Sequence, residues 1–92
     1  MAEKPDWTFL SNHAHVIVCL AADPDSRIRD VADSVGVTER TVTGIIADLE
    51  AAGIVTVGKV GRRNSYRINR RARLRHPLEQ HKTVGDLLKA IS

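Results

Sequence analysis

The stretch VGVTERTVTGIIADLEAAGIV, Val35 to Val55, decides the fold. Val42, Ile45, Ile46 and Leu49 recur at i, i+3, i+4 and i+7, which gathers them on one side of a helix. Thr38 stands where an N-cap belongs, and Glu39 follows in the first turn, where the helix dipole favours an acid. Gly53 ends the helix at Ala52. The opposite side carries Glu39, Arg40, Thr41, Thr43 and Gly44, all short or polar except one Arg. On an isolated amphipathic helix such a face would simply be solvated. Its neighbours in the chain give it a second meaning.

Upstream, SRIRDVADSVGV places Val31, Ala32 and Val35 on a two-turn helix from about Arg29 to Val35. A very short extended piece at Arg27 to Arg29 is expected before it, and Gly36 fits the left-handed position that ends it. Further upstream, a helix is predicted from about Ser11 to Ala22, with Ser11 or Asn12 as N-cap and Asp23-Pro24-Asp25 as its stop. Downstream, IVTVGKVGRRNSYRIN reads as a hairpin with a Gly turn and a basic tip. The chain closes with HPLEQHKTVGDLLKAI, interrupted by Pro77. There Thr83 is expected to cap a short helix, with Asp86 at the capping-box position. Val84, Leu87, Leu88 and Ile91 again share one helical face.

The expected fold is therefore mainly α with a small β-hairpin, in the order α-(β)-α-α-β-β-α. A chain of 92 residues is enough for one small domain. We read residues 11–69 as its core and 70–92 as a basic linker and a C-terminal helix. A hydrophobic content of 42% excludes a disordered chain. The single cysteine, Cys19, excludes an internal disulfide, which fits a reducing, cytoplasmic setting. The opening MAEKPDW has no apolar run, so no signal peptide is expected. The longest apolar run, VIVCLAA, is far short of the about 20 residues that span a membrane.

Charge is divided along the chain. Residues 1–50 hold four basic and nine acidic residues, a balance of −5. Residues 51–92 hold ten basic and two acidic residues, a balance of +8. Between Glu50 and Glu79 no acid occurs, and eight cations do: Lys59, Arg62, Arg63, Arg67, Arg70, Arg71, Arg73 and Arg75. Such a run points to a polyanion partner. A helix–turn–helix with a glycine in its turn, followed by a basic hairpin, is a DNA-reading arrangement, with the second helix of the pair in the major groove. The polar face of that helix is then short because it approaches base edges and phosphates. Glu39 would accept from a cytosine amino group, Arg40 would meet guanine or phosphate, and Thr41 and Thr43 would meet phosphates or a thymine methyl. Gly44 costs the helix about 1 kcal/mol against Ala; a close backbone approach to DNA would account for it.

These residues resemble the winged helix–turn–helix core of ArsR- and MarR-type transcription regulators. The likeness rests on VADSVGVTERTV, on the LEAAGIV exit into the hairpin and on GRRNSYRIN, and it covers about Ser11 to Asn69. It implies a homodimer on a pseudo-palindromic operator in double-stranded DNA. Glu39, Arg40, Thr41 and Thr43 would be readers, beginning at the cap Thr38. Arg62, Arg63 and Asn64 would be wing contacts, to which the charge pattern adds Lys59 and Arg67. The sequence departs at Gly44, where many members carry Arg or Gln.

No catalytic constellation is apparent, and no cofactor or metal is expected. The Cys-x-Cys of metal-sensing relatives is missing, and Pro77 disturbs the spacing of His76, Glu79 and His81. Gly53-x4-Gly58-Lys59 has Val60 where a P-loop needs Ser or Thr, and its helix precedes its strand, the reverse of the P-loop order. Cys19, in the most apolar helix, is expected to be an inert buried thiol. That first helix is apolar on more than one face, and the last is too short to persist alone. Both would be satisfied by a dimer interface made of Val16, Leu20, Val84, Leu87, Leu88 and Ile91. Two alternatives stay open: a winged-helix protein–protein module, and a nucleoid-type DNA binder with little sequence preference.

Overall fold

The computed structural model describes residues 5–91. Of the domain drawn over 1–92, residues 1–4 and 92 lie outside that part. The elements run α1 (Asn12–Ala22), α2 (Ile28–Val35), α3 (Glu39–Ala51), β1 (Val55–Val60), β2 (Arg63–Ile68) and α4 (Val84–Ile91). Ser11 caps α1, its hydroxyl accepting from the Ala14 N–H at 3.4 Å. Thr38 caps α3 by accepting from the Thr41 N–H at 3.1 Å. Between α2 and α3 the chain turns on Gly36, at φ 87°, a conformation only glycine adopts without steric cost. The N–H groups of Gly36 and Val37 both donate to the Ala32 carbonyl there, at 2.8 and 3.1 Å.

The expected extended piece at Arg27–Arg29 is not a strand, because α2 already begins at Ile28. Its place beside the hairpin is taken by the preceding loop. The Tyr66 N–H donates to the Pro24 carbonyl at 2.9 Å, and the Arg63 guanidinium donates to the Asp25 carbonyl at 2.9 Å. The loop thus offers acceptors to β2 without forming a ladder, and the sheet has two strands. These pair antiparallel from Val55↔Ile68 to Val60↔Arg63, leaving Gly61 and Arg62 as a two-residue turn with Gly61 at φ 67°.

α2 and α3 pack on α1 and on each other, and the hairpin leans on α3 and α1. The core is one cluster that includes Val16, Leu20, Val31, Val42, Leu49 and Tyr66. Burying an aliphatic side chain stabilises by roughly 1.5–3 kcal/mol. The dimer expectation needs correction here. Val16 and Leu20 are 0% exposed, Val84 is 1% and Leu88 is 4%, all within one chain. α4 packs on α1 of the same molecule, so the two apolar helices satisfy each other. Only Leu87, half-buried, and Ile91, 43% exposed, of the proposed interface residues remain accessible.

The segment from Asn69 to Thr83 is more ordered than its sequence suggests. Arg73 bridges Thr83 antiparallel, Leu74 N–H donates to the Lys82 carbonyl and Val84 N–H to the Ala72 carbonyl. The capping box forms as expected. The Thr83 N–H donates to the Asp86 carboxylate at 2.9 Å, and the Asp86 N–H to the Thr83 hydroxyl at 3.1 Å. Hydrogen bonding from the Thr83 backbone, and then from its side chain, holds the Asp86 carboxyl below its ordinary range.

Candidate nucleic-acid interface

α3 buries Val42, Ile45, Ile46 and Leu49 and leaves its other side in water. Glu39, Arg40, Thr41, Thr43 and Gly44 are all exposed, as is the cap Thr38. Their hydroxyls are partly committed. Thr38 and Thr41 share a hydrogen bond of 2.9 Å between their side-chain oxygens, and the Thr43 hydroxyl donates to the Glu39 carbonyl at 3.0 Å. Such local bonds fix side-chain direction but leave oxygen lone pairs as acceptors. Glu39 and Arg40 form no ion pair in the described structure. A Cβ placed on Gly44 would meet nothing within 4 Å. The fold itself therefore does not require glycine at this position.

The wing divides its charges. β pairing puts Lys59 and Asn64 on the face shared by Val57 and Tyr66, because side chains alternate along a strand. Together with Thr43, Ala47 and Glu50 of α3, Lys59 and Asn64 line a cleft of about 490 Å³ between reading helix and wing. Arg63 and Arg67 stand on the other face of the hairpin, and Arg67 is paired with Thr56. Arg67 thus does not join the cleft beside α3. Arg62 is at the tip. A second cleft, about 370 Å³, lies between the wing tip and the α1–α2 loop and brings Arg27 alongside Arg62, Arg63 and Asn64. The sequence places Arg27 only in the short extended piece expected at Arg27 to Arg29 and gives it no part in the wing. Its proximity to the wing depends on the Pro24 and Asp25 contacts, which are long-range.

Among the described residues no Lys or Arg forms a salt bridge; the one such pair is His13 with Asp48, at 2.9 Å. The wing cations are therefore not neutralised by any described carboxylate, and their field reaches solvent. The run after the wing goes elsewhere. Arg70 lines a groove with Ala22, Leu88 and Ile91, and Arg75 lines one with His13 and Phe9. Both grooves lie against α1 and α4, not against the outward face of α3.

His76 and Glu79 belong to a turn in which the Leu78 N–H donates to the His76 Nδ1 at 3.0 Å. Among the described residues no three His, Cys, Asp or Glu side chains gather to hold a metal ion. Cys19 is a half-buried free thiol whose pKa burial pushes up, which disfavours the reactive thiolate. No described helix is long and apolar enough to cross a membrane.

A three-helix core with a sharp glycine turn before an exposed polar helix, followed by a basic hairpin, defines a winged helix–turn–helix. Comparison with known families agrees: residues 13–56 match the family described as winged helix-turn-helix DNA-binding. The matched part runs from α1 into β1, so it includes the whole helix–turn–helix and the entry to the wing. No curated protein matches the chain. The molecule has the winged helix–turn–helix fold, and its residues 13–56 are similar to a DNA-binding family of that fold.

Proposed function

We propose that this is a homodimeric, cytoplasmic transcription regulator of the kind its ArsR- and MarR-like sequence features suggest, without catalytic activity. One domain would carry the whole device. α3 enters the major groove through Glu39, Arg40, Thr41 and Thr43, and the wing grips the backbone or minor groove through Lys59, Arg62, Arg63 and Asn64. The observation that carries the reading is the pairing of α3's exposed face with a wing whose cations meet no carboxylate among the described residues. Arg27 joins the phosphate contacts in this scheme, since it shares the cleft with Arg62.

A second reading, a binder with little sequence preference, is favoured by the engaged hydroxyls of Thr38, Thr41 and Thr43. They leave Glu39 and Arg40 as the freest reading groups. Gel shifts at two salt concentrations decide between the readings, using random duplex and DNA from upstream of the chain's own gene. A regulator prefers the upstream DNA and keeps that preference as salt rises. A non-specific binder treats both alike and releases both, since phosphate contacts are what salt weakens. Failure to shift either duplex at low salt would contradict both.

A further inference from the structure

Trp7 and Phe9 are two of the chain's three aromatic residues, and both stand in water, 69% and 93% exposed. Their rings pack edge to face, with centroids 5.2 Å apart and planes at 77°. This is a preferred aromatic geometry, so the pair forms one knob. Beside it opens a groove of about 520 Å³, running from Phe9 at its mouth past Ala14, Ile17, Ala52 and Leu74 to Leu87. Its rim carries both signs of charge: Arg75, Glu79 and the His13–Asp48 pair. Neither Arg75 nor Glu79 forms a salt bridge among the described residues.

We infer that the knob of each molecule seats in the groove of a second copy, and that this exchange is the dimer seam. A two-fold interface requires a self-complementary patch, in which residue i meets j and j meets i. Knob and hole side by side on one surface meet that requirement. So does a rim on which Arg75 of one copy can face Glu79 of the other. The size also fits. Four aromatic side chains, burying on the order of 150 Å² each, with a comparable area of groove wall, remove roughly 1,200 Å² from water. That lies at the lower end of stable protein–protein interfaces, about 1,200–2,000 Å² in total. Leu87 belongs to this groove and Val84 lies at its floor, 1% exposed, whereas Val16, Leu20 and Leu88 are consumed by the protomer's own core. The inference rests on the homodimer in the proposed function and names its contact surface.

Trp7 is the only tryptophan, so its fluorescence reports the seam directly. Sedimentation and emission spectra would be recorded on the whole chain from nanomolar to high micromolar concentration. The expected result is a dimer whose formation coincides with a blue shift of Trp7 emission. Trp7→Ala/Phe9→Ala, and separately Ala52→Arg at the exposed rim of the groove, should weaken dimerisation at least tenfold with circular dichroism unchanged. A dimer that persists in both variants overturns the seam while leaving a homodimer by another face. A wild type that is monomeric at every concentration overturns the seam and the homodimer together, whether or not its Trp7 emission is already blue-shifted. Titration of wild type with duplex DNA at low salt is run alongside. Loss of DNA binding in a protein that still dimerises through Trp7 would sink the regulator reading and leave the seam standing.

Discussion

α1 and α3 are helices of similar length with opposite sequence logic. α3 separates its residues cleanly, with one stripe in the core and a polar face outside. α1, NHAHVIVCLAA, carries no Lys, Arg, Asp or Glu at all. A helix with one apolar stripe announces both where its core lies and which side is free to act. A helix that is apolar all round announces only that it will be covered, not by what. In this fold the cover comes largely from within the chain: α2 and α3 on one side, β2 and α4 on others. What remains is the groove between α1, α3 and α4, with its aromatic neighbour.

The contrast can be broken most severely in the core, where the two helices should behave alike. Leu20→Ala in α1 and Ile45→Ala in α3 should each cost about 2–5 kcal/mol, read from chemical denaturation. Leu88→Glu should be at least as damaging. It places an unpartnered carboxylate in the single-chain core, so the variant should unfold, not merely dissociate. A folded monomeric Leu88→Glu protein would show that α4 belongs to an interface and not to the core. Thr38→Ala should remove the α3 cap at about 1 kcal/mol and lower the melting temperature by several degrees.

On the outward face of α3 the effects on stability should nearly vanish. Thr43→Ala should change stability by less than about 0.5 kcal/mol, yet alter the ranking among duplex sequences. A uniform loss across all sequences would count against base reading. Arg62→Ala/Arg63→Ala should do the reverse, weakening every duplex and flattening the salt dependence by about 2 units. The smallest effect concerns α4. Because the folded pKa of Asp86 is lowered, its contribution is present above the unfolded carboxylate range and is lost as pH falls through the folded value. Wild type and Asp86→Ala should therefore differ slightly in melting at neutral pH and converge in strong acid. A difference that grows with acidification would have the wrong sign.

The helix–turn–helix and the capping box were legible because each depends on neighbours within one or two helical turns. Gly36 after Val35, Thr38 before α3, and Thr83 with Asp86 are local signals. The loop that stands beside β2 in place of the expected extended piece was not legible, because Pro24 and Asp25 meet β2 only through contacts about 40 residues apart. The same distance hid Arg27 beside the wing, whereas Arg67 is split from Lys59 and Asn64 by the alternation of side chains along the hairpin. Gly85 is a further case. A Cβ there would lie 3.0 Å from the Arg70 carbonyl oxygen, so the glycine admits the turn after the wing, which nothing in VGDLLKAI indicates. Dimer residues were misjudged for a related reason. Apolar periodicity marks a face for burial, and it does not say whether the covering surface belongs to the same chain.

The central claim is that the outward face of α3 comes into close contact with DNA, and Gly44→Ala tests it most directly. The added methyl group has open space in the free protein. It should therefore stabilise the helix by up to about 1 kcal/mol, raising the melting temperature. If backbone approach to DNA is the reason for the glycine, the same methyl should weaken duplex binding severalfold. A variant that is more stable and binds DNA less well is the predicted result. A variant that is more stable and binds every duplex as tightly as wild type would contradict the account, since DNA would not come close to the face that Gly44 keeps open.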